Sequence, residues 1–302
     1  MITRISRKRF IKKGILATLS LNLVNSYSSL FRKTFSSKNG RLRYLGRTGL
    51  EVTSLGMGAT RTREPAVIKA ALDSGINFFD TGRSYARGNN EIMLGKVFKG
   101  IRDRIIIQSK IPLREQDRFD SADGVNEMIK SMESSVHESL KALKTDYIDV
   151  MLLHGMSKPE ITYHEEVMKF MEKIRKEGKV KAIGFSSHGN MAELIQKNNE
   201  ILFYDVVMCP FNHKGSFIHS VSKIYREWDQ PALMEQLIIA GNKKIGVVAM
   251  KTTSAGPFQP EGKETATYED AVRWVLQHDF ISSAAVGMAN FEEIAENVRV
   301  LG

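Results

Sequence analysis

The chain has 302 residues, 42% of them hydrophobic, a formal net charge of +10 and one cysteine, Cys209. That length and apolar content support a large core, and a lone cysteine excludes both an internal disulfide and a cysteine-built zinc or iron–sulfur centre. The charge gives no case for a nucleic-acid partner: nine of the 44 basic residues and none of the 34 acidic ones fall in residues 1–40, which leaves the remainder at +1.

Residues 1–40 run as a basic stretch (SRKRFIKK), a moderately apolar one (GILATLSLNLV) and a polar, Ser-rich one. This order is that of an export signal, and the apolar part is too short and too polar to span a membrane. Ser6, Arg7, Lys8, Arg9, Phe10, Ile11 and Lys12 resemble a twin-arginine (Tat) signal with lysine in place of its second arginine. The expectation is export to the periplasm or beyond with help from that machinery. A basic tail or an uncleaved anchor on a cytoplasmic protein is the alternative.

From residue 41 onward the pattern alternates strand and helix about every thirty residues. Residues 42–45 and 50–53, joined through Gly46 and Gly49, predict a small hairpin. Eight strand-then-helix units follow. Their strands lie at 54–58, 77–80, 104–110, 147–154, 181–187, 205–211, 245–251 and 282–288. The helices follow at 65–74, 90–98, 124–143, 165–177, 191–197, 232–240, 268–277 and 291–300. The strands are short, continuous and rich in Val and Ile, as parallel strands covered on both faces are. Eight units in this length predict a (β/α)₈ TIM barrel over residues 41–302, preceded by the signal-like segment. The rival, an open doubly wound sheet, calls for a glycine-rich turn opening a helix, and GMGATR at 56–61 breaks that pattern.

In a barrel the ends of strands two, three and four are neighbours, so Asp80, Lys110 and His154 would share one rim with Tyr85 on the loop after strand two. A phenol titrates near about 10. A cationic Lys110 beside Tyr85 would lower that value, and Asp80 would hold the lysine charged and in place. A neutral His154 could donate a hydrogen bond to a substrate oxygen without adding a charge. Together these make a general acid aimed at a carbonyl oxygen, with the hydride left to a cofactor. A zinc site built from His154, His188 and His213 is a weaker reading, because a nearby Lys110 would repel a cation and the spacing does not converge. No metal is therefore expected.

The stretch Asp80-Thr-Gly-Arg-Ser-Tyr85-Ala with Glu91 after it, the strand ending in Lys110 and the strand ending in His154 resemble the aldo-keto reductase family. RTGLEVTSLGMGAT at 47–60, LKTDYIDVMLLH at 143–154, GKVKAIGFSS at 178–187 and EEIAENV at 292–298 extend the resemblance over the whole barrel. It implies NAD(P)H-dependent reduction of an aldehyde or ketone, or the reverse oxidation. Tyr85 would be the proton donor, Lys110 and Asp80 its tuning pair, and His154 the group that orients the carbonyl. The cofactor would be NADP(H), with NAD(H) the alternative, and its contacts would fall at Gly58, Thr60, Ser186, Ser187, Met208, Met250, Lys251, Thr252, Thr253, Gly287, Met288, Glu296 and Asn297. Met208 and Met250 stand where the family carries glutamine and a stacking aromatic. Glu293 stands where many members carry an arginine for the 2′-phosphate, so Lys251 or another base would have to compensate. Loops 212–231 and 252–267 are expected to wall the substrate pocket. The altered nicotinamide contacts leave a second possibility, a regulatory protein that binds the cofactor without efficient turnover.

Overall fold

The computed structural model describes residues 42–113, 119, 121–218 and 223–301; the signal-like segment at 1–40 lies outside these residues. Among the described residues, eight parallel strands close into a barrel. In chain order they are β3 (Leu55–Gly58), β4 (Phe78–Asp80), β5 (Ile106–Pro112), β6 (Ile148–Met156), β7 (Val180–Ser187), β8 (Val206–Pro210), β11 (Gly246–Met250) and β12 (Ser283–Gly287). Closure is made by β12 on β3, with Ala284 opposite Leu55. The intervening helices form the outer layer, led by α1 (Pro65–Asp73), α2 (Asn89–Val97), α3 (Ala122–Leu143) and α4 (Pro159–Thr162). They continue with α5 (Glu165–Lys176), α6 (Met191–Ile201), α7 (Gln230–Asn242), α8 (Tyr268–Leu276) and α9 (Phe291–Val298). Local signals set their starts. Ser121, Asp229, Thr267 and Asn290 accept hydrogen bonds from first-turn backbone N–H groups of α3, α7, α8 and α9.

The hairpin of β1 (Leu42–Tyr44) and β2 (Glu51–Thr53) is present and antiparallel. It presents Leu45 and Val52 to the barrel interior, where they join Phe78, Ile106, Val150, Leu152, Val206 and Val248. The hairpin therefore plugs the end of the barrel where the strands begin. Alternation along each strand sorts the rest. On β6, Val150 and Leu152 enter the lumen while Met151 and Leu153 join the larger core under the helices. At Gly184 on β7 the lumen admits no side chain, since a Cβ would stand 2.1 Å from the Val206 carbonyl oxygen and 2.6 Å from Leu152 Cδ2.

Two strand ends near the site differ from expectation. β5 runs on to Pro112 and β6 to Met156, so Lys110 and His154 stand two residues before their strand ends rather than at them. On β6 the pairing slips between Leu153 and Met156, which marks an irregularity just at His154. The loop after β8 also carries an unforeseen antiparallel hairpin, β9 (Ser216–Ile218) with β10 (Tyr225–Glu227), and α4 was not legible either.

Candidate active site

The pleat of β5 places Ile106, Gln108 and Lys110 inside the barrel in a row, while Ser109 turns outward to α2. β4 is paired beside it, Asp80 opposite Gln108. Lys110 is 1% exposed, and its Nζ donates to Asp80 Oδ1 at 2.5 Å and to the Thr81 carbonyl at 2.6 Å. The same Nζ stands 4.8 Å from the centre of the Tyr85 ring. His154 meets that ring edge-on, with centroids 5.7 Å apart, and its Nδ1 shares a hydrogen bond of 3.3 Å with Ser84 Oγ. The four residues singled out from the sequence are thus brought together on one rim.

A second set of contacts fixes the loop that carries Tyr85. Arg83 forms an ion pair with the buried Glu91 at 2.7 Å, and Ser109 Oγ donates to the other oxygen of Glu91 at 2.6 Å. The backbone N–H of Arg83 donates to the Lys110 carbonyl at 3.1 Å, and that of Thr81 to the Gln108 carbonyl at 2.8 Å. Tyr85 therefore rides on a segment tied to β5 at Gln108 and at Lys110. The turn Tyr85–Gly88 holds Ala86 at φ 49° and Arg87 at φ 55°, a left-handed conformation costly for residues with a Cβ. Gly88 follows at φ 86°, where a Cβ would also fall 1.4 Å from Arg83 Nη2.

The electrostatics correct one expectation. Burial raises the Tyr85 pKa, and the lowering by Lys110 is partly cancelled by Asp80, so the net shift is upward. The phenol holds its proton at neutral pH. Burial works against the Lys110 charge, but Asp80 and Tyr85 outweigh it and the lysine pKa rises. His154 is pushed down to about 3 by burial and by the Lys110 charge, so its imidazole is neutral, as expected. Its Nδ1 is engaged by Ser84 Oγ, which leaves Nε2 as the nitrogen available to a ligand.

A cleft of about 730 Å³ opens over this rim. Gly58, Thr60, Met208, Met250, Lys251, Thr252, Thr253, Gly287, Glu296 and Asn297 line it together with Asp80, Tyr85 and His154. Ser186, Ser187 and Met288 do not. Ser186 Oγ donates to the Leu153 carbonyl and accepts from Gly155 N–H, and Ser187 Oγ donates to the Gly189 carbonyl. Met288 is fully buried in the core beneath the helices. Glu293 lines the cleft, but its carboxylate accepts from Ala289 N–H at 2.7 Å, within the start of α9. The base that faces the cleft with Lys251 is Arg61; burial first, and then the Arg61 charge, lowers the Lys251 pKa. Sequence reasoning missed Arg61, although it stood in the GMGATR stretch three residues after Gly58. It also missed Ile218, Ser254 and Tyr268, which the two long loops and the start of α8 bring to the cleft. Another depression, about 780 Å³, lies along α5 among paired Lys and Glu side chains and holds none of these groups. Among the described residues no group of three His, Cys, Asp or Glu side chains is placed to hold a metal.

The family model described as Aldo/keto reductase family matches residues 53–270. The chain belongs to the aldo/keto reductase family. It is 27% identical over 298 residues to L-galactose dehydrogenase of Arabidopsis thaliana, covering 85% of this chain and 86% of that one. Among solved structures it resembles aldo-keto reductase AKR11C1 of Bacillus halodurans in its holo form, at TM-score 0.68 and 22% identity, covering 87% and 91% of the two chains. It also resembles an aldo/keto reductase of Klebsiella pneumoniae solved with NADP and acetate, at TM-score 0.62 and 20% identity over 86% and 89%.

Replacing Ala86 with glycine removes the left-handed strain next to Tyr85; chemical denaturation is expected to show a gain of about 1 kcal/mol. His154, neutral when folded, makes stability fall with acid: below about 6.5 the unfolded chain takes up a proton that the folded chain refuses. NMR of the imidazole nitrogens is therefore expected to show one resonance that does not titrate between pH 8 and 5.

Proposed function

We propose that the protein is a carbonyl reductase that uses NADPH, with NADH as the weaker alternative, and acts on an aldehyde or ketone or runs the reverse oxidation. The observation that carries this reading is the cluster of Lys110, Asp80, Tyr85 and His154 on one rim, with a buried cation 4.8 Å from the phenol ring and a neutral imidazole beside it.

The cleft fits the cofactor chemically. Arg61 and Lys251 offer positive charge for phosphates, and Thr252, Thr253 and Ser254 offer hydroxyls next to Lys251. Two bases in one cleft support NADPH over NADH, because they counter the acid at Glu293 whose carboxylate is already held by Ala289. At the far end Asn297 Oδ1 is buried without a partner while its Nδ2 donates to the Glu293 carbonyl. That lone acceptor suits the amino group of an adenine. Gly287 admits no Cβ, which would come within 2.6 Å of Arg61 Cγ, so bare backbone lines that wall. Met208 and Met250 give soft apolar cover in place of an amide and an aromatic plane.

When bound, the nicotinamide supplies the hydride. The protein supplies the proton and the geometry. His154 donates one hydrogen bond that orients the carbonyl oxygen towards Tyr85. As negative charge grows on that oxygen, the Tyr85 hydroxyl gives up its proton, and the adjacent Lys110 ammonium stabilises the phenolate left behind. Asp80 keeps Lys110 charged and fixes its position, so the cation is in place before the reaction begins. The raised phenol pKa keeps this acid protonated at neutral pH.

Fluorescence titration with NADPH and NADH, followed by absorbance assays on a panel of aldehydes and ketones, tests the reading. Tight NADPH binding and turnover are expected, and Tyr85→Phe is expected to lower kcat by about a hundredfold or more while the cofactor still binds. No binding of either cofactor would sink the proposal. Binding without turnover on any carbonyl would instead support the regulatory reading.

A further inference from the structure

Gln108 lies in the lumen directly below Lys110 on β5, fully buried and outside the cleft lining. Its Nε2 donates to Asp80 Oδ1 at 2.7 Å, the same oxygen that receives the Lys110 ammonium, and to Met208 Sδ at 3.3 Å. Its Oε1 is buried with no partner. The orientation of the amide is set by chemistry, since the flipped form would aim a carbonyl oxygen at a carboxylate oxygen. A buried amide with one unused end is costly among the Val and Ile side chains of the lumen, and leucine would fill similar space without that cost. What the amide does is hold a carboxylate.

We infer that Gln108 is a positioning residue for the proton-transfer step: its amide locks Asp80 against Lys110 and takes up part of the carboxylate charge that would otherwise oppose ionisation of Tyr85. This inference rests on Tyr85 being the acid of the proposed reaction. Two donors from β5, the Lys110 ammonium and the Gln108 amide, converge on Asp80 Oδ1, and β4 is held beside β5 with Asp80 opposite Gln108, so the carboxylate has little freedom to rotate. Met208 completes the packing from β8 and turns its sulfur to the amide rather than to Asp80. The groups set around Asp80 and Tyr85 include Lys110 and Gln108 on β5, the neutral His154 on β6, the apolar Met208 on β8 and, opposite Asp80 on β3, the bare backbone of Gly58.

Without the amide, Asp80 retains more of its negative charge toward Tyr85 in a drier surrounding, and both effects raise the phenol pKa. The test is Gln108→Leu, read in two ways. In carbonyl reduction with NADPH, kcat is expected to fall about tenfold with the cofactor dissociation constant unchanged. The alkaline limb of the kcat profile is expected to move up by about one pH unit. Independently of activity, carbon NMR of tyrosine labelled at Cζ, with the Tyr85 line assigned by its loss in Tyr85→Phe, is expected to show the same upward move. Gln108→Glu gives a second variant should leucine impair folding: protonated at low pH it donates to Asp80 and restores kcat, and once ionised it lowers kcat and raises the Tyr85 midpoint. A Tyr85 midpoint that stays put or moves down in a folded Gln108 variant overturns the inference, even if the wild type turns over well. If the wild type reduces no carbonyl, the functional reading fails and the proton-transfer role with it, while a shifted Tyr85 line shows only that Gln108 sets the Asp80 charge felt by Tyr85.

Discussion

The structure of this site depends on one buried ion pair, Lys110 with Asp80. Taking a lysine that is 1% exposed and a carboxylate that is 4% exposed out of water costs several kcal/mol per ion, at the order of magnitude that such burial carries. The cost is offset only if every donor and acceptor is met. Lys110 meets Asp80 and the Thr81 carbonyl, and Asp80 meets Lys110 and the Gln108 amide. The pair therefore stands only where β4 and β5 lie side by side with Thr81 just past the strand end, which is what barrel closure provides.

Everything else at the rim follows from holding that charge in place. Tyr85 is kept over Lys110 by a turn that two left-handed residues strain and that the Arg83–Glu91–Ser109 chain ties down. The opposite face of the cleft is softer. Two methionines, two bases and a run of hydroxyls surround the space, and the β9–β10 hairpin leans Ile218 over its edge. Buried polar contacts gather around Lys110 and Asp80, while the other wall of the cleft offers charge and adaptable sulfur. In the proposed reaction the proton needs close placement, whereas a large cofactor can be held by many weaker contacts.

Much of this was legible in the chain. The Val- and Ile-rich runs, each followed by an amphipathic segment, gave the eight units, and Asp80, Lys110 and His154 stood out from their strands and Tyr85 from the loop after Asp80. Patterns that depend on the pleat or on tertiary packing were not. Lys110 and His154 fall short of their strand ends because β5 and β6 extend further than their apolar runs. The direction of the Tyr85 shift depends on burial, which a sequence does not state, and on Asp80 cancelling part of the lysine field. Ser186 and Ser187 satisfy nearby backbone instead of facing the cleft, and Met288 packs outward. Arg61 and Gln108 carried no motif; one is found by following the loop after β3 and the other by counting alternate positions down β5.

The central claim is that Lys110 and Asp80 act as one unit on Tyr85. The direct measurement is a double-mutant cycle in single-turnover reduction with saturating NADPH, using Lys110→Met, Asp80→Asn and the combined variant. Each single change is predicted to slow the step by about a hundredfold or more, and the double variant to be no slower than the worse single one. Losses that multiply in the double variant would show two independent residues and contradict the account.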